Sequence, residues 1–360
     1  MRILILTNFD MGLYKFRREL ISELCKENEV IAALPGGEYI GLLEQLGLKC
    51  EIFEFKRRGM NPFADFSQYR RYVRLIKRIK PDAVLTYTIK PNVYGGMACK
   101  KLKVPYIANV TGLGTSIANG GLLSALSKKL YKIGLSGAKC VFFQNKENKR
   151  QFEEYGIARG NNRLIPGSGV NLNVHKLEDY PESDENIKFL FIGRVMRDKG
   201  IDELLWAIDA VHKKHKNVSL DIVGDCEEDY SERLSEAVKK GFVRYHGKQK
   251  LVHNFIKEAH CTVLPSYHEG LANVMLESAS TGRPVITTRV PGCLETFVEG
   301  VTGLGCEPKS AKSLEEAMEK FLSLSNEEKR QMGIHGREKI VSEFDRNFVV
   351  KAYMEEIGKV

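Results

Sequence analysis

Four side chains in this sequence have the types and spacing to work on an elongated, charged ligand: Arg194, Lys199, Glu269 and Glu277. The apolar run Cys261-Thr262-Val263-Leu264 reads as a buried strand and 273–281 as a short helix closed by Gly282 and Pro284, so Glu269 falls in the loop between them. In an open α/β sheet, the loop at the carboxyl end of a strand forms the ligand crevice. Glu269 in the loop and Glu277 in the helix are eight residues apart, cannot share a face, and must hold different parts of one ligand. A carboxylate near a sugar and another near a ribose fit this spacing. Gly193-Arg194 ends another strand and Lys199-Gly200 opens the helix near Ile201, so the intervening loop carries two cations to a helix amino terminus. There Arg grips phosphate oxygens with a fork of donors, and Lys acts as a point charge. The competing reading makes the cations solvated loop residues, Glu277 a surface residue, and Glu269 an offset to a helix dipole.

The elements that position these groups follow from the apolar pattern. Strand-like runs at 3–6, 29–34, 50–55, 83–86, 106–110 and 140–143 alternate with helix-length segments, and a second set follows at 189–192, 220–223, 243–246, 262–264 and 285–287. Such alternation predicts α/β architecture, with two Rossmann-like, doubly wound parallel-sheet domains, and 360 residues suit two domains better than one. The stretch 164–171, followed by a polar segment with Pro181, Ser183 and Asp184, reads as the linker. The expected domains are 1–165 and 166–340, with 341–360 returning to the first. A helix over 344–357, with Phe348, Val349, Ala352, Tyr353 and Ile357 as its apolar residues, is suited to that return.

No run of about 18 apolar residues occurs, so no membrane span is expected, and 1–7 reads as a first strand rather than a signal peptide. The eight cysteines are dispersed without a C-x-x-C pair, which favours reduced thiols in a cytoplasm over disulfides or structural zinc. Charge is uneven: 28 Lys and Arg against 14 Asp and Glu in 1–165 leave that part at +14, and the remainder at −5. A basic first domain, with Arg57-Arg58, Arg70-Arg71, Lys100-Lys101 and Lys128-Lys129, points to an anionic partner such as a phospholipid, a lipid diphosphate or nucleic acid. Tyr69, Tyr72, Val73, Ile76 and Ile79 lie inward on a predicted helix over 65–80, so these tyrosines suit a core better than a base-stacking platform, and no nucleic-acid motif accompanies them.

The stretch from Leu264 to Glu277, the segment Gly193-Arg194-Val195-Met196-Arg197-Asp198-Lys199-Gly200, and the runs Gly282-Arg283-Pro284-Val285-Ile286-Thr287-Thr288 and Val301-Thr302-Gly303-Leu304 together resemble one family over nearly the whole chain. It is the retaining, nucleotide-sugar-dependent glycosyltransferases of the GT-B fold, family four. Thr86-Tyr87-Thr88-Ile89-Lys90-Pro91-Asn92 and Asn109-Val110-Thr111-Gly112-Leu113-Gly114-Thr115 resemble the subgroup that elongates sugars on undecaprenyl diphosphate, including bacterial N-acetylgalactosaminyltransferases.

The resemblance implies two domains facing across a cleft, the first receiving an acceptor and the second a UDP-sugar. It assigns Arg194 and Lys199 to the donor diphosphate, Glu269 to the donor sugar and Glu277 to the ribose. Gly193 belongs to the same donor loop. Backbone N–H groups of Gly270, Leu271, Ala272 and Asn273 are expected to meet sugar hydroxyls or phosphates, and Gly12 to approach the phosphates from the first strand-to-helix loop. That loop has no spaced glycines, so NAD binding is poorly supported. Lys90, Thr111 and Gly112 are the expected acceptor side, with Lys90 at the inner end of the path, where an acceptor phosphate would sit.

Many family members carry a His after the fifth strand, where this sequence has Thr111-Gly112, so no side-chain base is assigned. His268, beside Glu269, suits a structural or sugar-contacting role better. In front-face retaining transfer the leaving diphosphate itself takes the acceptor proton, and glycosidase-like paired carboxylates are not required. No Asp-x-Asp occurs, and the acidic group Asp225, Glu227, Glu228 and Asp229 suits a solvated loop, so catalysis without a metal or other cofactor is expected. The resulting expectation is a UDP-sugar-dependent α-glycosyltransferase, moving an N-acetylhexosamine to a lipid-linked saccharide at the anionic inner face of a cell membrane, with no nucleic-acid partner. The alternatives are a sugar-nucleotide epimerase or hydrolase of the same fold, or a basic nucleic-acid-binding protein.

Overall fold

The computed structural model describes residues 1–53, 62–112, 121–158 and 160–360. Two compact units divide the chain: Met1–Gly169 with Arg346–Val360, and Val170–Asp345.

In the first unit, strands β1 (Arg2–Leu6), β2 (Glu29–Leu34), β3 (Lys49–Ile52), β4 (Ala83–Tyr87), β5 (Tyr106–Val110), β6 (Cys140–Phe143) and β7 (Asn162–Leu164) form one sheet. Its order is β3-β2-β1-β4-β5-β6-β7, and every pairing is parallel. Strands β4, β5 and β6 are buried along their whole length, which is why they read as unbroken apolar runs and not as alternating ones. In the second unit, β8 (Ile187–Ile192), β9 (Val218–Val223), β10 (Val243–Tyr245), β11 (Cys261–Leu264), β12 (Val285–Thr288) and β13 (Gly303–Cys306) are ordered β10-β9-β8-β11-β12-β13, again all parallel. Strand order reverses between β1 and β4 in one sheet and between β8 and β11 in the other. Those two points are where an open α/β sheet leaves room for a ligand at its carboxyl edge.

The helix Arg346–Ile357 belongs to the first unit. Its Val349, Ala352, Tyr353 and Ile357 join the core formed by Ile3, Ile5, Leu85 and Ile107. Tyr353 lies tilted against Phe142 with ring centres 4.5 Å apart, and its hydroxyl accepts a hydrogen bond from Asn109 Nδ2 at 2.7 Å. Phe348, expected on the apolar face, is 44% exposed. The helix starts at Arg346, whose guanidinium binds the Lys15 carbonyl and Glu19, and this anchoring leaves Phe348 on the outer side.

The crossings between units fall at 169/170 and 345/346, a few residues after the expected 165/166 and 340/341. Arg346 accounts for the shift: its Nε and Nη2 donate to the Ser168 and Gly169 carbonyls and hold that turn to the first unit. The polar stretch around Pro181, Ser183 and Asp184 is no linker, because it is fastened along the second unit. Arg283, fully buried, donates to the Glu178 and Asp179 carbonyls at 3.0 and 2.6 Å, Asn326 donates to the Pro181 carbonyl, and Lys329 pairs with Asp184 at 2.7 Å. Among the described residues, no helix is long and apolar enough to cross a membrane. All eight cysteines are free thiols.

Candidate active site

Two loops at the reversal point of the second sheet bring together the side chains singled out above. After β8, Gly193 donates its N–H to the Val223 carbonyl, and Val195 pairs with Cys226, so Arg194 between them projects outward. A single 3-10 turn, Arg197–Lys199, then leads into the helix Ile201–Lys214 through Gly200. Gly200 has φ +71°, and a Cβ there would lie 2.1 Å from the Pro265 carbonyl oxygen. Only glycine supplies both that backbone conformation and that close approach. The Tyr267 N–H donates to the Asp198 carbonyl at 2.9 Å, stitching the two loops a second time.

With the loops so joined, Lys199 forms an ion pair with Glu269, and both side chains are more than four-fifths buried. The Ser266 hydroxyl donates to the same Glu269 oxygen at 2.8 Å. Arg194 pairs with Glu227 at 2.7 Å in a more open setting, and the Arg197 N–H donates to Glu228. The acidic group after β9 is exposed, as expected of a solvated loop, and its Glu227 and Glu228 also hold the loop after β8. The Cys293 thiol is pushed up to about 12 by burial and by the nearby Glu269 charge, so it stays a neutral wall group.

The helix Asn273–Ser280 carries Glu277, whose Oε1 lies 3.9 Å from His175 Nε2, both side chains being largely buried. Leu271 and Ala272 pack into the core of the unit, so they present backbone rather than side chain. Of the four N–H groups expected to serve a ligand, two are spent inside the protein: Ala272 donates to the Gly292 carbonyl at 2.8 Å and Asn273 to the Leu271 carbonyl at 2.9 Å. This corrects that expectation for those two residues, because the turn before the helix uses their N–H groups to hold its own shape. Gly270 is half-buried in the same loop. Asn273 Oδ1 is buried without a hydrogen-bond partner among the described residues. His268 is exposed and lies 4.0 Å from Asp198, away from the Lys199–Glu269 pair's own hydrogen bonds.

At the reversal point of the first sheet, the helix Asp10–Cys25 starts earlier than expected, so Gly12 lies in its first turn rather than in a loop. Asp10 fixes that start: its buried carboxylate accepts the Tyr39 N–H at 2.9 Å at a helix end that favours negative charge. After β4, Lys90 is ion-paired to Asp65 at 3.0 Å. Thr111 and Gly112 directly follow β5, Thr111 exposed and Gly112 half-buried. Leu113, Gly114, Thr115, Arg57 and Arg58 lie outside the described residues. Of the other basic clusters, Arg71 lies over the Phe53 ring at 4.4 Å and Lys128 over Tyr155 at 3.7 Å, so part of the charge is held against aromatic faces. Tyr72 is completely buried in the core, as its helical spacing predicts.

Sequence reasoning missed Ser266, His175 and Asp65 as partners of the residues it found, and named Glu227 without its pairing to Arg194. Ser266 had a signal in its position three residues before Glu269. The other three come from distant segments, and only the folded sheet brings them close. Among the described residues, no group of three or more His, Cys, Asp or Glu is placed to hold a metal ion.

Comparison with known proteins adds an independent line. Residues 10–145 match the family profile "Glycosyl transferase 4-like", and residues 175–339 match "Glycosyl transferases group 1". The chain is 27% identical, over its whole length and 99% of the relative, to the N,N'-diacetylbacillosaminyl-diphospho-undecaprenol alpha-1,3-N-acetylgalactosaminyltransferase of Campylobacter jejuni. It is 26% identical to the capsular polysaccharide biosynthesis glycosyltransferase CapM of Staphylococcus aureus, over 81% of this chain and 80% of that one. Among solved structures, Anabaena HepE in complex with UDP and glucose superposes with TM-score 0.82 at 17% identity over the full length of both chains. Sucrose-phosphate synthase from Thermosynechococcus elongatus superposes with TM-score 0.80 at 19% identity, over 100% of this chain and 98% of that one. Two parallel sheets, each reversing where the loops carry the conspicuous charges, together with matches that take in most of both halves, make this chain a member of the group 1 and 4-like glycosyltransferases with the GT-B fold.

Proposed function

We propose that this glycosyltransferase transfers a sugar, an N-acetylhexosamine, from a UDP-sugar to a lipid-diphosphate-linked saccharide with retention of configuration. The observation that carries the reading is the Lys199–Glu269 pair, with Arg194 on the same loop, at the reversal point of the second sheet. Arg194 and Lys199 stabilise the diphosphate as it gains charge, Glu269 and Gly270 orient the transferred sugar, and Glu277 binds the ribose hydroxyls. Asn273, with an unused buried oxygen, and Gly193 complete the donor site with the backbone of Leu271. In the first unit, Lys90, Thr111 and Gly112 serve the acceptor. The acceptor hydroxyl attacks from the face the leaving group departs, a new glycosidic C–O bond replaces the sugar–phosphate C–O bond, and the acceptor proton passes to the departing UDP. Charge stabilisation of this kind contributes roughly 10²- to 10³-fold per contact.

Support for the lipid-linked acceptor comes from the Campylobacter relative, whose name carries a diphospho-undecaprenol substrate, and support for UDP from the UDP-bound Anabaena structure. The basic first unit suits peripheral association with the anionic inner face of a membrane, where each Lys or Arg near the surface contributes about 1 kcal/mol. A metal-independent reaction follows from the lack of an Asp-x-Asp in the sequence and from cations already placed on the donor loop.

The test is UDP release from a panel of UDP-sugars, with and without lipid-linked saccharide, in buffer with and without EDTA. The reading expects acceptor-dependent release that survives chelation, and an α-linked product by NMR. Release at the same rate without acceptor identifies a hydrolase instead. A β-linked product rejects retention if the donor is α-linked, and loss of activity in EDTA with recovery in manganese rejects metal independence.

A further inference from the structure

We propose that Lys90 and Asp65 together form a subsite for a neutral hydroxyl of the acceptor saccharide, not for its phosphate; the proposal deepens the reading above and rests on it. Asp65 lies in the first turn of the helix Pro62–Ile79, and Lys90 follows β4 at the reversal point of the first sheet. Their charged atoms are 3.0 Å apart, with side-chain exposures of 14% for Lys90 and 9% for Asp65. At that depth each charge depends on the other, because a buried charge deprived of its partner is strongly disfavoured.

A phosphate bound to Lys90 would stand beside the Asp65 carboxylate, placing two anions against one shared cation. A hydroxyl meets no such conflict. An ammonium has three protons and a carboxylate about four acceptor sites, so a pair joined by one hydrogen bond keeps both donors and acceptors for a group that itself donates and accepts. Burial and the nearby Asp65 charge push the Tyr94 phenol above its ordinary value, so a neutral phenol from the segment that follows Lys90 stands beside the pair.

The backbone beside the pair is also unusual. Thr88, two residues before Lys90, has φ +72°, a conformation that a β-branched residue adopts only under strain. Its carbonyl accepts the Asn92 N–H at 3.0 Å, while its hydroxyl oxygen is buried without a hydrogen-bond partner among the described residues. Asn92 is itself fixed by the Thr86 hydroxyl at 2.7 Å and by donation to the Asn109 carbonyl at 2.8 Å. Strain, an unused hydroxyl and a neutral ion pair thus meet within a few residues, on a support that cannot easily relax. Such strain concentrates at ligand-binding sites.

The experiment compares wild type, Asp65→Asn and Lys90→Gln on three kinds of acceptor: the lipid-diphosphate-linked saccharide, a phosphate-free alkyl glycoside with the same terminal sugar, and the series of monodeoxy alkyl glycosides. Both variants are expected to lose roughly 10- to 100-fold in kcat/KM, the range for a hydrogen bond to a charged group, and to lose it equally with and without the diphosphate. One monodeoxy glycoside should lower wild type to the level of the variants while lowering the variants no further, the signature of a coupled pair. Donor KM should stay at its wild-type value, while each single variant strands a mostly buried charge and should melt earlier than wild type. If a variant melts too early to assay, Asp65→Leu with Lys90→Met replaces the pair by apolar groups of similar size, preserves the fold, and takes its place in the comparison. A loss confined to the diphosphate-bearing acceptor overturns the proposal, as does equal sensitivity of wild type and variants to every missing hydroxyl. A wild-type protein that transfers to no acceptor overturns the transferase reading and this subsite with it, and that failure is seen before any variant is compared.

Discussion

Alanine at position 199 and alanine at position 194 each remove one cation from the same loop, yet they should behave very differently. Lys199 and Glu269 have side-chain exposures of 16% and 14%, so Lys199→Ala strands a mostly buried carboxylate whose remaining side-chain partner among the described residues is the Ser266 hydroxyl. Breaking a buried pair costs about 3–5 kcal/mol; residual exposure and the Ser266 hydrogen bond bring the expectation to about 3 kcal/mol. In a unit of this size each kcal/mol moves Tm by about 2–4 °C, giving a fall of roughly 6–12 °C. Arg194 is 48% exposed, and its pair with Glu227 contributes about 0–1 kcal/mol, so Arg194→Ala should leave Tm within about 4 °C of wild type. Turnover should nevertheless fall in both, by roughly 10²- to 10³-fold, since each cation is assigned to the diphosphate. Thermal melting and acceptor-dependent UDP release read the two effects separately. Lys199→Met combined with Glu269→Leu should recover most of the lost stability and none of the turnover. A Lys199→Ala protein that melts with wild type, or retains near-normal turnover, would refute the reasoning.

Three further outcomes follow from particular contacts. Glu277→Gln should raise the donor KM with little change in kcat, whereas Glu269→Gln should lower kcat with a smaller loss of UDP affinity; matching kinetic and titration profiles would reject that division. Gly200→Ala forces a Cβ to 2.1 Å from the Pro265 carbonyl at φ +71°, so it should cost about 1–3 kcal/mol and slow turnover by displacing Lys199, and unchanged melting would contradict the geometry. Burial holds the His260 imidazole below its ordinary value of 6.5, its Nδ1 accepting the Lys188 N–H and its Nε2 facing the Ser183 carbonyl. Its contribution is full above that value and declines as pH falls through it, because the unfolded chain then takes up a proton that the folded one resists. Denaturant melts between about pH 7.5 and 5.5 should show wild type losing more stability than His260→Gln, and equal losses would exclude His260 as the cause.

The sheets were legible because strands buried on both faces are continuous apolar runs, and the charged loops were legible because they follow such runs. Strand β7 escaped notice because Asn162-Arg163-Leu164 is a short, polar edge strand. Strand β13 escaped because Gly303 and Gly305 interrupt its apolar pattern; a Cβ on Gly303 would lie 2.5 Å from the Val285 carbonyl oxygen. The site was legible one residue at a time and not in pairs. Lys199 and Glu269 could each be named, but that one neutralises the other depends on Gly200 letting two loops touch. Lys90 read as an isolated cation because Asp65, its counter-ion, lies on a different helix. Phe348 shows the opposite failure: hydrophobic spacing put it inward, and the anchoring of Arg346 turned it out.

Residues 346–357 complete a core laid down by strands that precede them by more than two hundred positions, while 170–345 contains every strand of its own sheet. During synthesis the order of completion is therefore the reverse of the order of the chain: the second unit has all its parts first, and the first waits for Val349, Ala352, Tyr353 and Ile357. At ordinary elongation rates of about 5–20 residues per second, that wait lasts roughly 10–40 s after the first unit's strands are made. Throughout it, one face of β1, β4 and β5 lacks part of its cover, and the nascent chain is most open to aggregation or chaperone capture. A chain stopped just before Arg346 should thus yield a folded second unit joined to an incompletely folded first one. Limited proteolysis of such a truncated product should digest the amino-terminal part and spare the rest.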